Sequence, residues 1–209
     1  MVPDQNKIII VKFVAISDTH GCHRQLKLPK GDVLLHAGDV CDQGNASQVE
    51  DFLDWLSGLD FQYKIIIGGS HDIDLNTKRS LLAVELPKGI VQLKNSGIVI
   101  EGIPIWGVPH PITWGAENWE AIPLNTRILM THRPPFSILD QPMPSTSKGS
   151  KRLLQRVKLV EPDVHLFGHI HADYGQKKIG NTLFINASAY KKSKNQIVNE
   201  AVVFSVETM

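Results

Sequence analysis

Five short apolar runs in this sequence each lead to an aspartate or a histidine, and this recurrence constrains the fold more than any other feature. The run Val33–Ala37 is too short for a typical helix and is followed by a glycine and then Asp39, a pattern that indicates a buried strand. The other four runs lead to Asp18-Thr19-His20, His71-Asp72, His132 and His169-Ile170-His171. Ligands bind outside the carboxyl ends of strands in α/β sheets, so these side chains are expected to meet at one rim. The sequence therefore predicts a metal centre with Asp39 in its middle.

Length and composition predict one α/β domain over residues 1–209. A chain of 209 residues with 42% hydrophobic content is long enough for one full core. The sequence contains no internal repeat, low-complexity segment or second core pattern. The formal net charge of +1 argues against nucleic acid or an anionic membrane as a partner.

The sequence predicts no targeting or membrane segment. The apolar run from Ile8 to Ile16 is interrupted by Lys12 and lacks a cationic lead-in with a cleavage site, and no later run is long enough to span a bilayer. Two cysteines, Cys22 and Cys41, do not make a disulfide framework, so a reducing compartment is the simpler expectation. We therefore expect a cytoplasmic protein, and the sequence leaves its oligomeric state open.

The segments between the strand-like runs predict crossover helices of a parallel sheet. Apolar residues at helical spacing define two of them: Val49, Phe52, Leu53 and Leu56 in the first, and Leu153, Val157 and Val160 in the second, which begins near Gly149. Between them, the short runs Ile90–Leu93, Ile98–Ile100 and Ile103–Trp106 are separated by turn signals. This spacing predicts a local antiparallel meander.

The side chains at the strand ends supply oxygen and imidazole ligands without a thiolate. The set consists of Asp18, His20, Asp39, His132, His169 and His171. Such ligands suit Mn²⁺, with Fe and Zn²⁺ as alternatives, in an open catalytic site. The set exceeds what one tetrahedral ion needs, so two ions that share a carboxylate are predicted. Ions about 3.5–4 Å apart are a common device for in-line attack on phosphorus.

These motifs resemble, in order along the chain, the motif series of the calcineurin-like metallophosphoesterases. The matching stretches are Asp18-Thr19-His20, Gly38-Asp39, Gly69-Ser70-His71-Asp72, Thr131-His132 and Gly168-His169-Ile170-His171. The stretches Thr131–Pro135, Phe167–Gly175 and Phe184–Ser188 are especially similar to the small metallophosphoesterase-domain-containing phosphodiesterases of fetal-brain type. The resemblance extends from about Phe13 to Phe204.

The resemblance implies a fold, a ligand set and a reaction. The fold is a four-layer α-β-β-α sandwich of two mixed sheets flanked by helices. The first ion would be bound by Asp18, His20, Asp39 and His171, and the second by Asp39, Ser70, His132 and His169. A metal-bound hydroxide would attack phosphorus. His71 would protonate the leaving oxygen or stabilise its developing charge, and Asp42 would orient that imidazole.

Two departures from the family pattern bear on the activity. Gln43 occupies the position of a phosphate-binding arginine in the protein serine/threonine phosphatases, which favours small phosphodiesters, with cyclic nucleotides as candidates, over phosphoproteins. Ser70 occupies the position of an asparagine ligand and, being shorter, is expected to fall short of the second ion or to act through a water. The alternative function is therefore a catalytically weakened nucleotide-binding or regulatory scaffold protein.

Further candidates lie beside these motifs. His23 and His110 fall in loops that can face the site, and Arg133 adjoins a ligand, so all three are candidate contacts for a phosphoester or nucleotide substrate. Each of them also fits an ordinary exposed residue. His36 and His165 lie inside strand-like runs, where a hydrogen-bonded core histidine is more common than a role beside a metal ligand.

Overall fold

The computed structural model describes residues 8–42, 44, 46–72, 86–111, 117–143 and 145–208, and within these ranges it contains two large β-sheets and two α-helices. The strands are β1 (Ile10–Ile16), β2 (Val33–His36), β3 (Tyr63–Ile66), β4 (Ile90–Gln92), β5 (Ser96–Ile100), β6 (Ile103–Val108), β7 (Ile128–Thr131), β8 (Val164–Phe167), β9 (Gly175–Ile179), β10 (Thr182–Asn186), β11 (Tyr190–Lys191), β12 (Gln196–Ile197) and β13 (Val202–Glu207). The α-helices are α1 (Ala46–Ser57) and α2 (Lys151–Val160).

Both large sheets are mixed. The first has the strand order β13-β1-β2-β3-β4, and the second has the order β5-β6-β7-β8-β10-β9. In the first sheet β1 to β4 are parallel and β13 runs antiparallel to β1. In the second, β6, β7, β8 and β10 are parallel, while β5 and β9 run antiparallel to their neighbours. The short strands β11 and β12 form a separate hairpin.

The two sheets pack face to face around a shared core. Phe13 and Leu35 of the first sheet belong to the same buried apolar cluster as Met130 and Leu166 of the second. Because successive side chains of a strand point to opposite faces, the neighbouring positions Val14 and Ile16 face outward from this core.

The helices cover the outer faces of the sheets. The outward-facing residues of the first sheet pack against Val49, Phe52, Leu53 and Leu56 of α1. On the other side, Leu153, Val157 and Val160 of α2 pack against Leu129 and Phe167 of the second sheet. The layer order is therefore helix, sheet, sheet, helix, and the predicted four-layer sandwich is confirmed.

The predicted meander is wrong in one of its strands. β4 pairs in parallel with β3 at the edge of the first sheet, whereas β5 and β6 form an antiparallel hairpin in the second sheet. The chain changes sheets between Gln92 and Ser96, at the turn that was expected to join two paired strands. Turn residues show where the chain reverses, but they do not show which sheet it enters next.

The carboxyl ends of the parallel strands of both sheets lie along one edge of the sandwich. The residues after β1 and β10 join the two sheets there, since the Ser17 amide donates to the Ala187 carbonyl at 2.9 Å and the Ala189 amide donates to the Ser17 carbonyl at 2.9 Å. Within the described ranges, no helix is both long and apolar enough to cross a membrane.

Candidate metal centre

The strand ends bring the predicted ligands into two groups that share one carboxylate. The first group, whose ligand atoms lie within 4.8 Å of one another, consists of Asp18, His20, Asp39 and His171. The second group consists, by the same measure, of Asp39, His132 and His169. Asp39 therefore belongs to both groups, and each group can use one of its two carboxylate oxygens.

The first group combines two carboxylates and two imidazoles at short range. The Nε2 atom of His171 lies 3.2 Å from Asp18 Oδ1 and 3.2 Å from His20 Nε2, and His20 Nε2 lies 3.7 Å from Asp39 Oδ2. Two loops of the first sheet supply three of these residues. His171 comes from the loop after β8 in the second sheet, so the group forms only when the sheets are packed together.

The second group is equally compact and includes Ser70. The Nε2 atom of His132 lies 3.3 Å from His169 Nδ1 and 3.4 Å from Asp39 Oδ1. Ser70 Oγ lies 3.3 Å from His132 Nε2, 3.4 Å from His169 Nδ1 and 3.3–3.4 Å from the Asp39 carboxylate oxygens.

These spacings change the interpretation of Ser70. Ligand atoms about 2.0–2.1 Å from a tetrahedral ion are separated from one another by roughly 3.3–3.4 Å. The Ser70 hydroxyl is therefore at ligand spacing from three other donors, although the length of its side chain predicted that it would fall short. The His71 amide donates to Asp39 Oδ1 at 2.7 Å, so the backbone of the loop after β3 lies close to Asp39. This proximity compensates for the short side chain of Ser70.

Four of the candidate ligands have backbone conformations that few residues adopt. The φ angles are +52° for Asp18, +43° for His20, +58° for Asp39 and +69° for His169. Aspartate and histidine are among the residues that tolerate the left-handed region best, but each such position is still strained. The chain turns sharply at these points, which directs consecutive strand ends into one small volume.

Glycines allow two of these loops to approach the carboxylates closely. A Cβ atom added to Gly168 would lie 2.0 Å from Asp18 Oδ2, and one added to Gly69 would lie 2.2 Å from Asp39 Oδ1. Any side chain at either position would displace a candidate ligand. The Gly69-Ser70-His71 and Gly168-His169 motifs therefore require glycine at these two positions for steric reasons.

Two residues to which the sequence assigns no role hold the candidate ligands in place. The buried Asp72 carboxylate accepts from the backbone amides of Asp39 and Gly69 at 2.8 Å each and of Cys41 at 3.1 Å, so it ties the loops after β2 and β3 together. Ser188 Oγ donates to Asp18 Oδ2 at 2.8 Å. Both residues lie in motifs that match the family pattern, and only their contacts show what they do.

A buried histidine in each sheet orients the threonine that precedes a candidate ligand. In the first sheet, His36 Nδ1 accepts from the Gly38 amide at 3.1 Å, so its Nε2 carries the proton and donates to Thr19 Oγ1 at 3.1 Å. In the second sheet, His165 Nε2 lies 2.9 Å from Thr131 Oγ1, and that hydroxyl donates to the Arg133 carbonyl at 2.6 Å. Burial lowers the pKa of both histidines to about 3, so both are neutral.

The buried carboxylates make the centre attractive to positive charge. Burial opposes ionisation of Asp18, but the hydrogen bond from His171 and the charge of His132 lower its pKa to about 2. Burial likewise opposes ionisation of Asp39, yet the charge of His132 and its hydrogen bond move the Asp39 pKa below its usual range. The Asp39 carboxylate in turn raises the pKa of His132 to about 9 despite its burial. Carboxylates that draw protons onto neighbouring imidazoles would also draw metal cations.

His71 and Asp42 form a pair at the exposed mouth of the centre. His71 Nδ1 lies 3.2 Å from Asp42 Oδ1, and the His71 ring lies 4.8 Å from the His20 ring, centroid to centroid. The side chains of His71 and Asp42 are 40% and 52% exposed, whereas that of His20 is only 4% exposed. Since a carboxylate accepts from Nδ1–H, the Nε2 atom of His71 is the ring atom left for chemistry.

The three predicted substrate contacts, His23, His110 and Arg133, lie in different environments. His110 lies at the centre, with its ring 5.8 Å from that of His132 and 5.9 Å from that of His169. Its Nδ1–H donates to the Pro111 carbonyl at 2.9 Å. This histidine lines the second group, and its predicted contact with substrate stays a prediction.

Of the other two, His23 needs correction, whereas the predicted substrate contact of Arg133 stays a prediction. His23 is fully buried, with its ring 5.4 Å from that of Phe52 and 5.0 Å from that of Trp55. It pairs with Asp51 of α1 at 3.0 Å, so it anchors its loop to the helix and does not face the site. Arg133 is largely buried in a 2.7 Å ion pair with Glu117, which neutralises the guanidinium charge within the protein.

Comparison with known proteins connects this centre to a family. Residues 11–173 match the family described as calcineurin-like phosphoesterase. The chain belongs to the calcineurin-like phosphoesterase family. It is 33% identical to Metallophosphoesterase domain-containing protein 1 of Homo sapiens, over 94% of this chain and 71% of that protein. It is 31% identical to UPF0046 protein K07C11.7 of Caenorhabditis elegans, over 94% of this chain and 75% of that protein.

Solved structures show the same fold. The sulfate thiohydrolase SoxB of Thermus thermophilus, solved in complex with glycerol, is similar with a TM-score of 0.51 and 13% sequence identity. The similarity covers 93% of this chain and 56% of that chain. At this identity the likeness establishes a shared architecture alone.

The residues of this phosphoesterase domain fit the divalent metals that the family uses. Both groups offer only nitrogen and oxygen donors, and their buried carboxylates supply the negative charge that a cation needs. His132 Nδ1–H donates to the Ala37 carbonyl at 2.9 Å, which turns Nε2 toward the second group as in many metal-binding histidines. Each group could therefore hold one ion.

Proposed function

We propose that this protein is a phosphodiesterase that hydrolyses small phosphate esters at two divalent metal ions, with Mn²⁺ as the preferred metal and Fe or Zn²⁺ as alternatives. The observation that carries this proposal is the pair of ligand groups that share Asp39. When bound, two such ions activate a water and neutralise charge on the phosphoryl oxygens. The first group would hold one ion, and the second group with Ser70 would hold the other.

The residues around the two groups would position the ester and move its proton. His71, oriented by Asp42, would donate a proton from Nε2 to the leaving oxygen. His110 would line the side of the second group, where its ring approaches His132 and His169. The exposure of His71 and Asp42 supports entry of a small substrate from the solvent side of this pair.

Two features favour a diester over a monoester. A phosphate monoester is a dianion and benefits from an additional cationic contact, while a diester carries one charge. The Arg133 guanidinium is engaged by Glu117 at 2.7 Å, and position 43, which lies outside the described residues, is a glutamine rather than an arginine. We therefore propose phosphodiesters, with cyclic nucleotides among them, as the substrate class.

The near-neutral net charge bears on the protein's partners, and the cysteines bear on its location. A formal net charge of +1 supports a small substrate rather than nucleic acid or an anionic membrane. Cys22 and Cys41 are both free thiols, which is consistent with the reducing cytoplasm that we propose as its location.

The alternative, a weakened regulatory scaffold, rested on Ser70 alone. Because Ser70 Oγ lies 3.3–3.4 Å from the other three donors of the second group, the serine is a candidate ligand rather than a defect. This spacing supports the enzyme over the scaffold, and we favour the enzyme.

The proposal is tested by hydrolysis of bis(p-nitrophenyl) phosphate and p-nitrophenyl phosphate by the metal-free protein with and without added Mn²⁺. We expect turnover only with the metal and a higher kcat/KM for the diester. Asp39→Asn, which removes the shared charge with little change in shape, should abolish turnover of both esters. Metal-independent hydrolysis would reject the metal centre, and a monoester preference of about tenfold or more would reverse the choice of substrate class.

A further inference from the structure

A cavity of about 470 Å³ opens directly beside the first ligand group. Its lining includes His171, Tyr174, Lys191, Lys192 and Asn199. His171 belongs to both the cavity and the ligand group, and its side chain is 23% exposed while that of Asp18 is fully buried. The volume is within the range of about 300–1,000 Å³ that is typical of small-molecule sites. A substrate bound at the first group can thus extend into this cavity.

The cavity wall is built by an ordered hairpin. Tyr190 begins this lysine hairpin (residues 190–197), and its ring packs 4.8 Å from the ring of His20. The Tyr190 amide donates to the Asp18 carbonyl at 3.1 Å, and its hydroxyl donates to Asn195 Oδ1 at 2.6 Å, which closes the turn that carries Lys192. The lysine hairpin is therefore fixed against the same loop that supplies the candidate ligands.

The opposite wall is also held by hydrogen bonds. Asn199 Nδ2 donates to the Ser188 carbonyl at 2.8 Å, and the Tyr174 hydroxyl donates to the Glu200 carbonyl at 3.0 Å. Ser188 itself donates to Asp18. Both walls are thus connected to the first ligand group by short chains of contacts.

The charge of the cavity is positive. Lys191 and Lys192 line it, and no carboxylate side chain is among its lining residues. Across the part of the chain that the structure describes, neither lysine takes part in an ion pair. A third lysine, Lys194, lies on the same short turn but does not line the cavity. Two ammonium groups outside any ion pair of the described residues, beside the first ligand group, favour a ligand with a second anionic group.

We propose that this cavity is an anion subsite, which binds a carboxylate or phosphate carried on one ester branch of the substrate while the scissile phosphodiester is bound at the ligand groups. This inference rests on the proposed phosphodiesterase function and deepens it, because within that substrate class the cavity would favour diesters that carry a second anionic group. Lys191 and Lys192 are the specificity-determining residues, and Lys194 provides a matched control.

Ethyl p-nitrophenyl phosphate and 2-carboxyethyl p-nitrophenyl phosphate test the subsite, because they share a leaving group and differ by one carboxylate. An ion pair with an exposed ammonium group contributes up to about fivefold, so kcat/KM should be about fivefold higher for the carboxylate ester. This preference should disappear in the double variant Lys191→Met/Lys192→Met, remain in Lys194→Met, and decrease as salt is added.

Binding of uncleavable compounds separates the subsite from the reaction. Calorimetric titration of the Mn²⁺-loaded protein with 2-carboxyethylphosphonate and ethylphosphonate should give an affinity ratio of about five, which the double variant loses. Equal kcat/KM for the two esters and equal affinity for the two phosphonates would overturn the subsite, even if both esters are hydrolysed well. Hydrolysis of neither ester would instead reject the proposed function, and the phosphonate ratio would then decide the subsite alone.

Discussion

Replacing His36 by phenylalanine should weaken the first metal ion more than the second. The imidazole is fully buried and makes two hydrogen bonds of 3.1 Å, one from the Gly38 amide and one to the Thr19 hydroxyl. Thr19 lies between Asp18 and His20, so both of those candidate ligands depend on the loop that His36 orients. Phenylalanine keeps the ring that packs 5.0 Å from Phe52 but removes both hydrogen bonds.

The size of the effect follows from the groups left unpaired. A buried donor without a partner costs about 1–3 kcal/mol, which applies to the Gly38 amide. The Thr19 hydroxyl retains its 3.4 Å hydrogen bond to the Val40 carbonyl, so it adds about 1 kcal/mol. We expect the free energy of unfolding of the metal-free protein to fall by about 2–4 kcal/mol, and Mn²⁺ affinity at the first group to fall by about 10–100-fold, as for other partners of metal ligands.

His165→Phe is the matched control in the other sheet. It removes the hydrogen bond to Thr131, which precedes His132, so it should weaken the ion of the second group and spare the first. Electron paramagnetic resonance of free Mn²⁺ during titration resolves the two affinities, and urea unfolding gives the stability. The double variant His36→Phe/Thr19→Val removes both partners of one hydrogen bond and should recover part of the stability. Unchanged Mn²⁺ affinity in folded His36→Phe, or equal weakening of both ions by both variants, would refute this assignment.

Three further substitutions test the centre itself. Asp39→Ala should lower Mn²⁺ stoichiometry at both sites and abolish diester hydrolysis, because one carboxylate serves both groups; a full metal complement by atomic absorption would contradict the shared role. His71→Ala should leave the metals bound and slow hydrolysis about 10²–10⁴-fold, least for esters with good leaving groups; equal losses across a series of aryl leaving groups would exclude it as the acid. Ser70→Ala should weaken the ion bound with His132 and His169 by about tenfold or more, and Ser70→Asn, which supplies a carbonyl oxygen, should restore it; unchanged Mn²⁺ titration curves for both variants would exclude Ser70 as a ligand.

The sequence by itself determined the strands and the residues at their ends. The apolar runs before Asp18, Asp39 and His132 are local patterns, and the strands β1, β2 and β7 lie within or across them. Strand direction then requires side chains that follow parallel strands to lie at one edge. The helix faces were predictable for the same reason, since burial with a helical period is a property of a few consecutive turns.

The tertiary structure decided which side chains near the strand ends face the candidate metal centre. The Ser70 hydroxyl lies at ligand spacing from Asp39 in a loop whose His71 amide also donates to that carboxylate, a contact that side-chain length alone does not predict. His23 lies in a loop next to a motif, yet its burial against Phe52 removes it from the site. The residues adjacent to Ser70 and His23 do not predict these contacts, because each contact involves an element elsewhere in the chain.

The sequence also did not predict the hydrogen bonds that hold the candidate ligands in place. Ser188 is 170 residues from the Asp18 carboxylate to which it donates, and His171 is 153 residues from the same carboxylate. β4 and β5 have similar local patterns but belong to different sheets. A local pattern specifies whether a residue is in a strand and which neighbours share its face. Which distant strand or loop lies opposite is decided by the packing of the two sheets around their common core.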